Sequence, residues 1–102
     1  MLEYKINSVD NGLEIVIKGR VDSEGISGFQ QCLTDSLEKP EEKAVIDLSE
    51  LKFINSSGIG KLLIFYKKFT NTGRELQIKG IDDDVYTLFK AIRLDKLINI
   101  EK

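Results

Sequence analysis

The residues predict an α/β fold. A single domain should carry a mixed, mostly parallel sheet of about four to five strands, about three main helices and an N-terminal β-hairpin. Three observations carry this expectation. Short apolar or alternating runs take turns with segments whose apolar residues recur at helical spacing, the pattern of β-α-β units. Two alternating runs near the N-terminus are separated by Asp10-Asn11-Gly12, a turn signal because Asn and Gly tolerate positive φ. The chain is 102 residues long, which suits one domain and one core spanning 1–102 rather than two.

In order, Leu2, Tyr4 and Ile6 alternate with Glu3, Lys5 and Asn7, so residues 2–9 read as a half-buried strand. Leu13, Ile15 and Ile17 mark the second strand over 13–18, ended by Gly19. Asp22 or Ser23 can cap the next helix, with Glu24 in its first turn. Its apolar face is Ile26, Phe29, Leu33 and Leu37, and Pro40 stops it. Ala44–Leu48 is short, apolar and β-branched, which suits a strand covered on both faces. A link over 49–55 leads to a helix starting near Ser56, where Ser56 reads first as an N-cap. Its stripe is Ile59, Leu62, Leu63, Tyr66 and Phe69, and Gly73 is its expected C′ residue. Residues 75–79 form another alternating strand. Asp82-Asp83-Asp84 opens a third helix, striped by Val85, Leu88, Phe89 and Ile92, and its acids complement the helix dipole. The apolar residues Leu94, Leu97, Ile98 and Ile100 close the chain with a short strand.

Strands separated by helices should be parallel, joined by right-handed crossovers. The C-terminal ends of the strands at 13–18, 44–48 and 75–79 then share one edge of the sheet. That edge gathers Asp22 and Ser23, then Asn55, Ser56 and Ser57, then Asp82 and Asp83. Ligands and partners of open α/β sheets favour this edge.

Composition narrows the chemistry. Fifteen basic against seventeen acidic residues leave a net charge of -2, without the basic excess of a general nucleic-acid binder, so no direct nucleic-acid partner is expected. There is no histidine, which removes the usual general base and the commonest metal ligand. The single Cys32 forms no internal disulfide, reads as a packed helix residue and fits a reducing compartment. Neither a signal peptide nor a run approaching the ~20 apolar residues of a membrane span is evident, so a cytoplasmic protein is expected. No metal or other cofactor is expected.

The glycine and serine motifs at 55–61 fail the catalytic templates. G-x-S-x-G fails because Asn55 precedes Ser57 by two. A phosphate-binding loop would need Gly at Asn55 and Ser or Thr at Leu62. A dinucleotide fingerprint would need a third glycine at Leu63. A helix N-terminus with exposed hydroxyls remains, with Gly58 and Gly60 in its first turns as a sign of close backbone approach or of helix-to-strand packing.

Ile46-Asp47-Leu48-Ser49, Leu51 and Phe53-Ile54-Asn55-Ser56-Ser57-Gly58-Ile59-Gly60 resemble the core motif of the STAS domain, found in sulphate transporters and bacterial anti-sigma-factor antagonists. Gly19-Arg20-Val21-Asp22 and Gly73-Arg74-Glu75-Leu76 resemble two further motifs of that family, and the likeness covers nearly the whole chain. The resemblance implies a STAS-like fold and a binding module rather than an enzyme. It implies an antagonist that binds an anti-sigma-factor serine kinase when unmodified, releasing a sigma factor. Phosphorylation of Ser56, with Ser57 as second choice, would switch binding off, and a PP2C-type phosphatase would restore it. The partner surface would comprise Asp22, Ser23, Asn55, Ser56, Ser57, Gly58, Ile59, Gly60 and Lys61. Where the family has Asp before the first serine, this chain has Asn55. Two alternatives stay open: a stand-alone STAS subunit or scaffold of another complex, such as a lipid-transport ATPase or a signalling assembly, without phospho-switching; and a small enzyme or nucleotide-binding domain. The oligomeric state is not legible.

Overall fold

The computed structural model describes residues 1–10 and 12–102. Five strands form one sheet in the order β1-β2-β3-β4-β5. The elements follow as β1 (Leu2–Val9), β2 (Gly12–Val21), α1 (Ile26–Leu37), β3 (Lys43–Ile54), α2 (Ser56–Asn71), β4 (Glu75–Ile81), α3 (Asp83–Ala91), a 3₁₀ turn at Leu94–Lys96 and β5 (Asn99–Glu101). β1 and β2 are antiparallel, from Leu2 opposite Gly19 to Val9 opposite Gly12. Every later pair is parallel. At the hairpin Asp10 takes a φ of 52°; the rest of the expected turn signal, Asn11, lies outside the described residues.

The strand order explains where the core is. Moving across a sheet in one direction with crossovers of one hand puts every helix on the same face. Burial agrees: Leu13, Ile15 and Ile17 of β2, Ala44, Ile46 and Leu48 of β3, and Leu76 and Ile78 of β4 are buried, while the residues between them are not. The expectation that β3 is covered on both faces is therefore corrected. Val45 and Asp47 face the open side and are only half-buried.

β2 and β3 both run past their expected ends. Gly19 does not stop β2; it kinks it, with φ of 105° and no room for a side chain, since a Cβ would meet Met1 O at 2.1 Å. β3 continues from Leu48 to Ile54 through two register shifts against β2. Each shift adds one residue to β3, so its buried positions fall at Leu48, Leu51 and Ile54. That spacing of three broke the period of two and made this stretch read as a link. Asp47 fixes the first shift, accepting from Ser49 N at 2.9 Å and Ser49 Oγ at 2.6 Å.

The helices also depart from their expected stripes. In α2, Phe65 is buried although it lies off the Ile59–Phe69 stripe. α1 packs along that flank, where Leu33, Leu37 and Phe65 line a shallow groove between the two helices. In α3 only Val85 and Phe89 are buried; Leu88 and Ile92 are 37% and 45% exposed. α3 leans on β3 and the Leu94–Lys96 turn, whereas α1 and α2 pack on one another. Gly73 takes the expected left-handed conformation after α2, with φ of 85°. Cys32 is fully buried, and burial pushes its thiol up to about 12. No helix of the described residues is long and apolar enough to cross a membrane.

Candidate functional site

β2 and β3 end side by side. Asn55 N donates to Val21 O at 2.9 Å, so Asp22 and Asn55 leave the sheet together. Asn55 is extended, with φ of -87° and ψ of 176°, and its Oδ1 accepts from Gly58 N at 2.8 Å. Asn55 is therefore the N-cap of α2, and the expectation that Ser56 is the cap is corrected. Ser56 is the first residue of the helix itself.

This shift by one residue matters chemically. The cap satisfies Gly58 N but leaves the N–H groups of Ser56 and Ser57 without a partner inside the helix. Both serines are exposed, and among the described residues neither hydroxyl makes a hydrogen bond. No acidic residue lies in the first turn of α2. Two free hydroxyls thus stand on the positive end of a helix dipole.

Helix geometry separates the two serines. Ser56 lies beneath Gly60 and Leu63, whereas Ser57 lies beneath Lys61 and Ile64, on the flank that faces α1. Above Ser56 the surface is open, because a Cβ on Gly60 would meet nothing within 4 Å. Gly58 has the opposite surroundings: a Cβ there would lie 2.6 Å from Val21 Cγ1 and 2.8 Å from Ile54 Cγ1. Of the two glycines, Gly58 serves helix-to-strand packing and Gly60 leaves free surface. Of the residues expected on the partner surface, Gly58 is buried and Ile59 is half-buried against the core.

Asp22 does not cap α1 either. Its Oδ1 accepts from Glu24 N at 3.1 Å and Gly25 N at 2.9 Å, closing a turn that precedes the helix, and α1 begins at Ile26 without a side-chain cap. The Gly25 N–H bond leads in holding the Asp22 carboxyl below its usual range. Ser23 is exposed on that turn, and Glu24 lies in it rather than in the first turn of α1.

Arg20 joins this corner. Its guanidinium stacks 4.5 Å from the centre of the Phe53 ring and lies 3.5 Å from Asp22 Oδ2. Phe53 is 39% exposed, and its backbone pairs with that of Arg20. Spacing did not single out this aromatic and cation as site residues, because the register shifts of β3 hide which face Phe53 occupies. The one available signal was an aromatic residue two positions before Asn55.

The Asp82 turn is held elsewhere. Asp82 N donates to Leu48 O at 3.2 Å, and Lys52 Nζ contacts Asp82 Oδ1 at 3.1 Å. That hydrogen bond from Lys52 leads in lowering the Asp82 carboxyl. β3 then runs on to Ile54, so Asp82 meets the middle of the extended β3 and not its junction with α2. The expected convergence is thus complete for Asp22, Asn55, Ser56 and Ser57, and Asp82 and Asp83 belong to a neighbouring ion-paired turn.

A model of the STAS domain matches residues 4–102. The anti-sigma-B factor antagonist of Staphylococcus aureus (strain NCTC 8325 / PS 47) is 21% identical over 101 residues, covering 99% of this chain and 94% of that protein. Among solved structures, an anti-sigma factor antagonist from Mycobacterium paratuberculosis superimposes with a TM-score of 0.89 at 18% identity, covering 99% of this chain and 86% of the other. The anti-sigma factor antagonist SpoIIAA of Bacillus superimposes with a TM-score of 0.78 in its unphosphorylated form, at 14% identity over 98% of this chain and 89% of the other. Its phosphorylated form gives 0.72.

Proposed function

Because the chain belongs to the STAS domain family, we propose that it is an anti-sigma-factor antagonist switched by phosphorylation at Ser56. Unmodified, it binds an anti-sigma-factor serine kinase across the corner made by Asp22, Ser23, Asn55, Ser56, Ser57, Gly60 and Lys61, and a sigma factor is released. A phosphate on Ser56 ends that binding, and a PP2C-type phosphatase restores it. The names of the relatives, anti-sigma-B factor antagonist and anti-sigma factor antagonist, support the role.

One observation carries the switch: Ser56 is exposed and without a hydrogen bond while Asn55 does the capping. A phosphate would add about -1.5 to -2 charge without removing a native contact. The free N–H groups and dipole of α2 favour that charge, so the fold survives modification. A docked partner would meet new charge and bulk at the centre of its interface, and repulsion and desolvation would weaken the complex. Ser57 is the less suited acceptor, because it stands on the flank toward α1.

The test is incubation with the candidate kinase and ATP, followed by mapping of phosphate by mass spectrometry and binding measurements with Ser56→Ala and Ser56→Asp. Phosphate at position 56, persistent binding by the Ala variant and weak binding by the Asp variant support the proposal. A kinase complex that forms with equal strength for wild type and Ser56→Asp overturns it. Asn55 favours the second reading, a STAS subunit of another assembly, since it keeps the cap without the acid. Copurification with a transport ATPase, with no phosphate at Ser56 or Ser57, would decide for that reading.

A further inference from the structure

We propose that a second copy of this chain pairs with β1 along its free edge, antiparallel and centred on Tyr4, to make one continuous sheet. Among the described residues β1 pairs only with β2, so its other side is an open ladder. Exposed edge strands are usually guarded by a proline, a bulge, a covering element or charged side chains. The charges of β1 are Glu3 and Lys5, whose opposite signs can pair across a two-fold. β1 runs over Leu2–Val9 with no proline and no register shift against β2.

The backbone fixes which groups are free. Arg20 N donates to Met1 O at 3.1 Å, so odd-numbered residues of β1 bond toward β2. By the alternation of an antiparallel ladder, Leu2, Tyr4 and Ile6 turn their N–H and C=O groups outward. Centred on Tyr4, the pairing sets Tyr4 against the partner's Tyr4 and Leu2 against the partner's Ile6, closing about six N–H···O bonds.

The side chains select this register. On the open face, Glu3 stands opposite the partner's Lys5, and Lys5 opposite the partner's Glu3. These are non-hydrogen-bonded positions, where side chains approach most closely. Centring on Glu3 or on Lys5 would place like charges face to face. On the helix side Leu2, Tyr4 and Ile6 are half-buried, packed beside α1 and left partly open at the edge of the sheet. The pairing sets them beside the same three residues of the partner and extends the apolar layer across the axis. Asp35, which accepts from Tyr4 Oη at 3.4 Å, and Glu38 line the surface beside Ile6 together with Lys39; the two acids outweigh the one base near that axis and keep the association modest. The two-fold relation points the parallel strands of the copies in opposite directions. The Asn55–Ser57 corners therefore lie at opposite ends and stay free, and the inference does not depend on their phosphorylation.

Sedimentation velocity on the full chain from about 10 µM to about 1 mM tests it, in the range where modest dimers populate. Wild type should shift from monomer to dimer. Glu3→Lys and Lys5→Glu should each weaken the dimer on the order of tenfold by placing like charges opposite. Mixing these two variants should restore a heterodimer, and the double variant should restore the homodimer. Both positions are exposed, and melting curves verify that each variant is folded. A wild type that stays monomeric throughout, or a dimer indifferent to both reversals, overturns the proposal.

Discussion

Gly58 lies so close to Val21 that a Cβ on the glycine would stand 2.6 Å from Val21 Cγ1. The first turn of α2 thus rests directly on the end of β2 and of β3. Both obstructing atoms belong to stiff β-branched side chains, Val21 and Ile54, which yield little. Gly58→Ala should destabilise the fold by about 1 to 3 kcal/mol through overpacking. Gly60→Ala, with open space around its Cβ, should stabilise it by up to about 1 kcal/mol. Urea midpoints of the two variants would separate them; equal shifts would refute the assignment of Gly58 to packing.

Capping by Asn55 sets a second contrast. Asn55→Ala should lose about 1 kcal/mol, because Gly58 N loses its acceptor. Asn55→Asp should hold stability within about 0.5 kcal/mol, since Asn and Asp cap almost equally well. Ser56→Ala should leave stability unchanged. Thermal melts measure all three, and a Ser56→Ala loss as large as that of Asn55→Ala would contradict the cap assignment.

Arg74 ties the far end of the molecule. Its guanidinium lies 4.1 Å from the centre of the Phe69 ring and donates to Lys39 O at 2.8 Å and Leu37 O at 3.2 Å, holding the C-terminus of α1 to the end of α2. Arg74→Ala should destabilise by about 1 to 3 kcal/mol. Arg74→Lys should recover only part of this, for lack of the planar fork. Denaturant unfolding with kinase binding as a second readout distinguishes stability from function, since Arg74 lies away from the Ser56 corner.

The carboxyls of Asp22 and Asp82 titrate below their ordinary value of 3.8 in the folded chain. The unfolded chain therefore takes up protons at a higher pH than the native one. Their contribution to stability is present above about pH 4 and is lost as the pH falls through the folded values. Asp82→Asn should flatten the acid limb of a stability-versus-pH curve and leave the curve between pH 6 and pH 8 parallel to that of wild type. An unchanged acid limb would show that the Lys52–Asp82 contact contributes nothing.

Much of this architecture is written in local pattern. The hairpin, the parallel strands and the three helices follow from spacing alone, because each apolar stripe has one dominant neighbour. Where two neighbours compete, spacing fails. The fully buried face of α2 is Gly58, Leu62, Phe65 and Phe69, turned from the expected stripe toward the flank that α1 also covers, and Leu88 and Ile92 match the helical period yet stay 37% and 45% exposed. β3 shows another limit, since its added residues replace the strand period with one of three between Leu48 and Ile54. At the candidate site the residue types were legible and the roles were offset by one. Asn and Ser are comparable caps, and only the extended backbone of Asn55 decides between them.

The strands lie across the sheet in the order in which the ribosome makes them. Each strand after the first finds one pairing partner in chain already synthesised and offers its other edge to the strand that follows. The hairpin can form first, and each helix-and-strand unit can then add to a template. Each addition spans one crossover helix, and the parallel pairing it makes is long-range in sequence, which sets the slow part of folding. The smallest addition is β5 at Asn99–Glu101, which pairs with β4 over Gln77–Lys79.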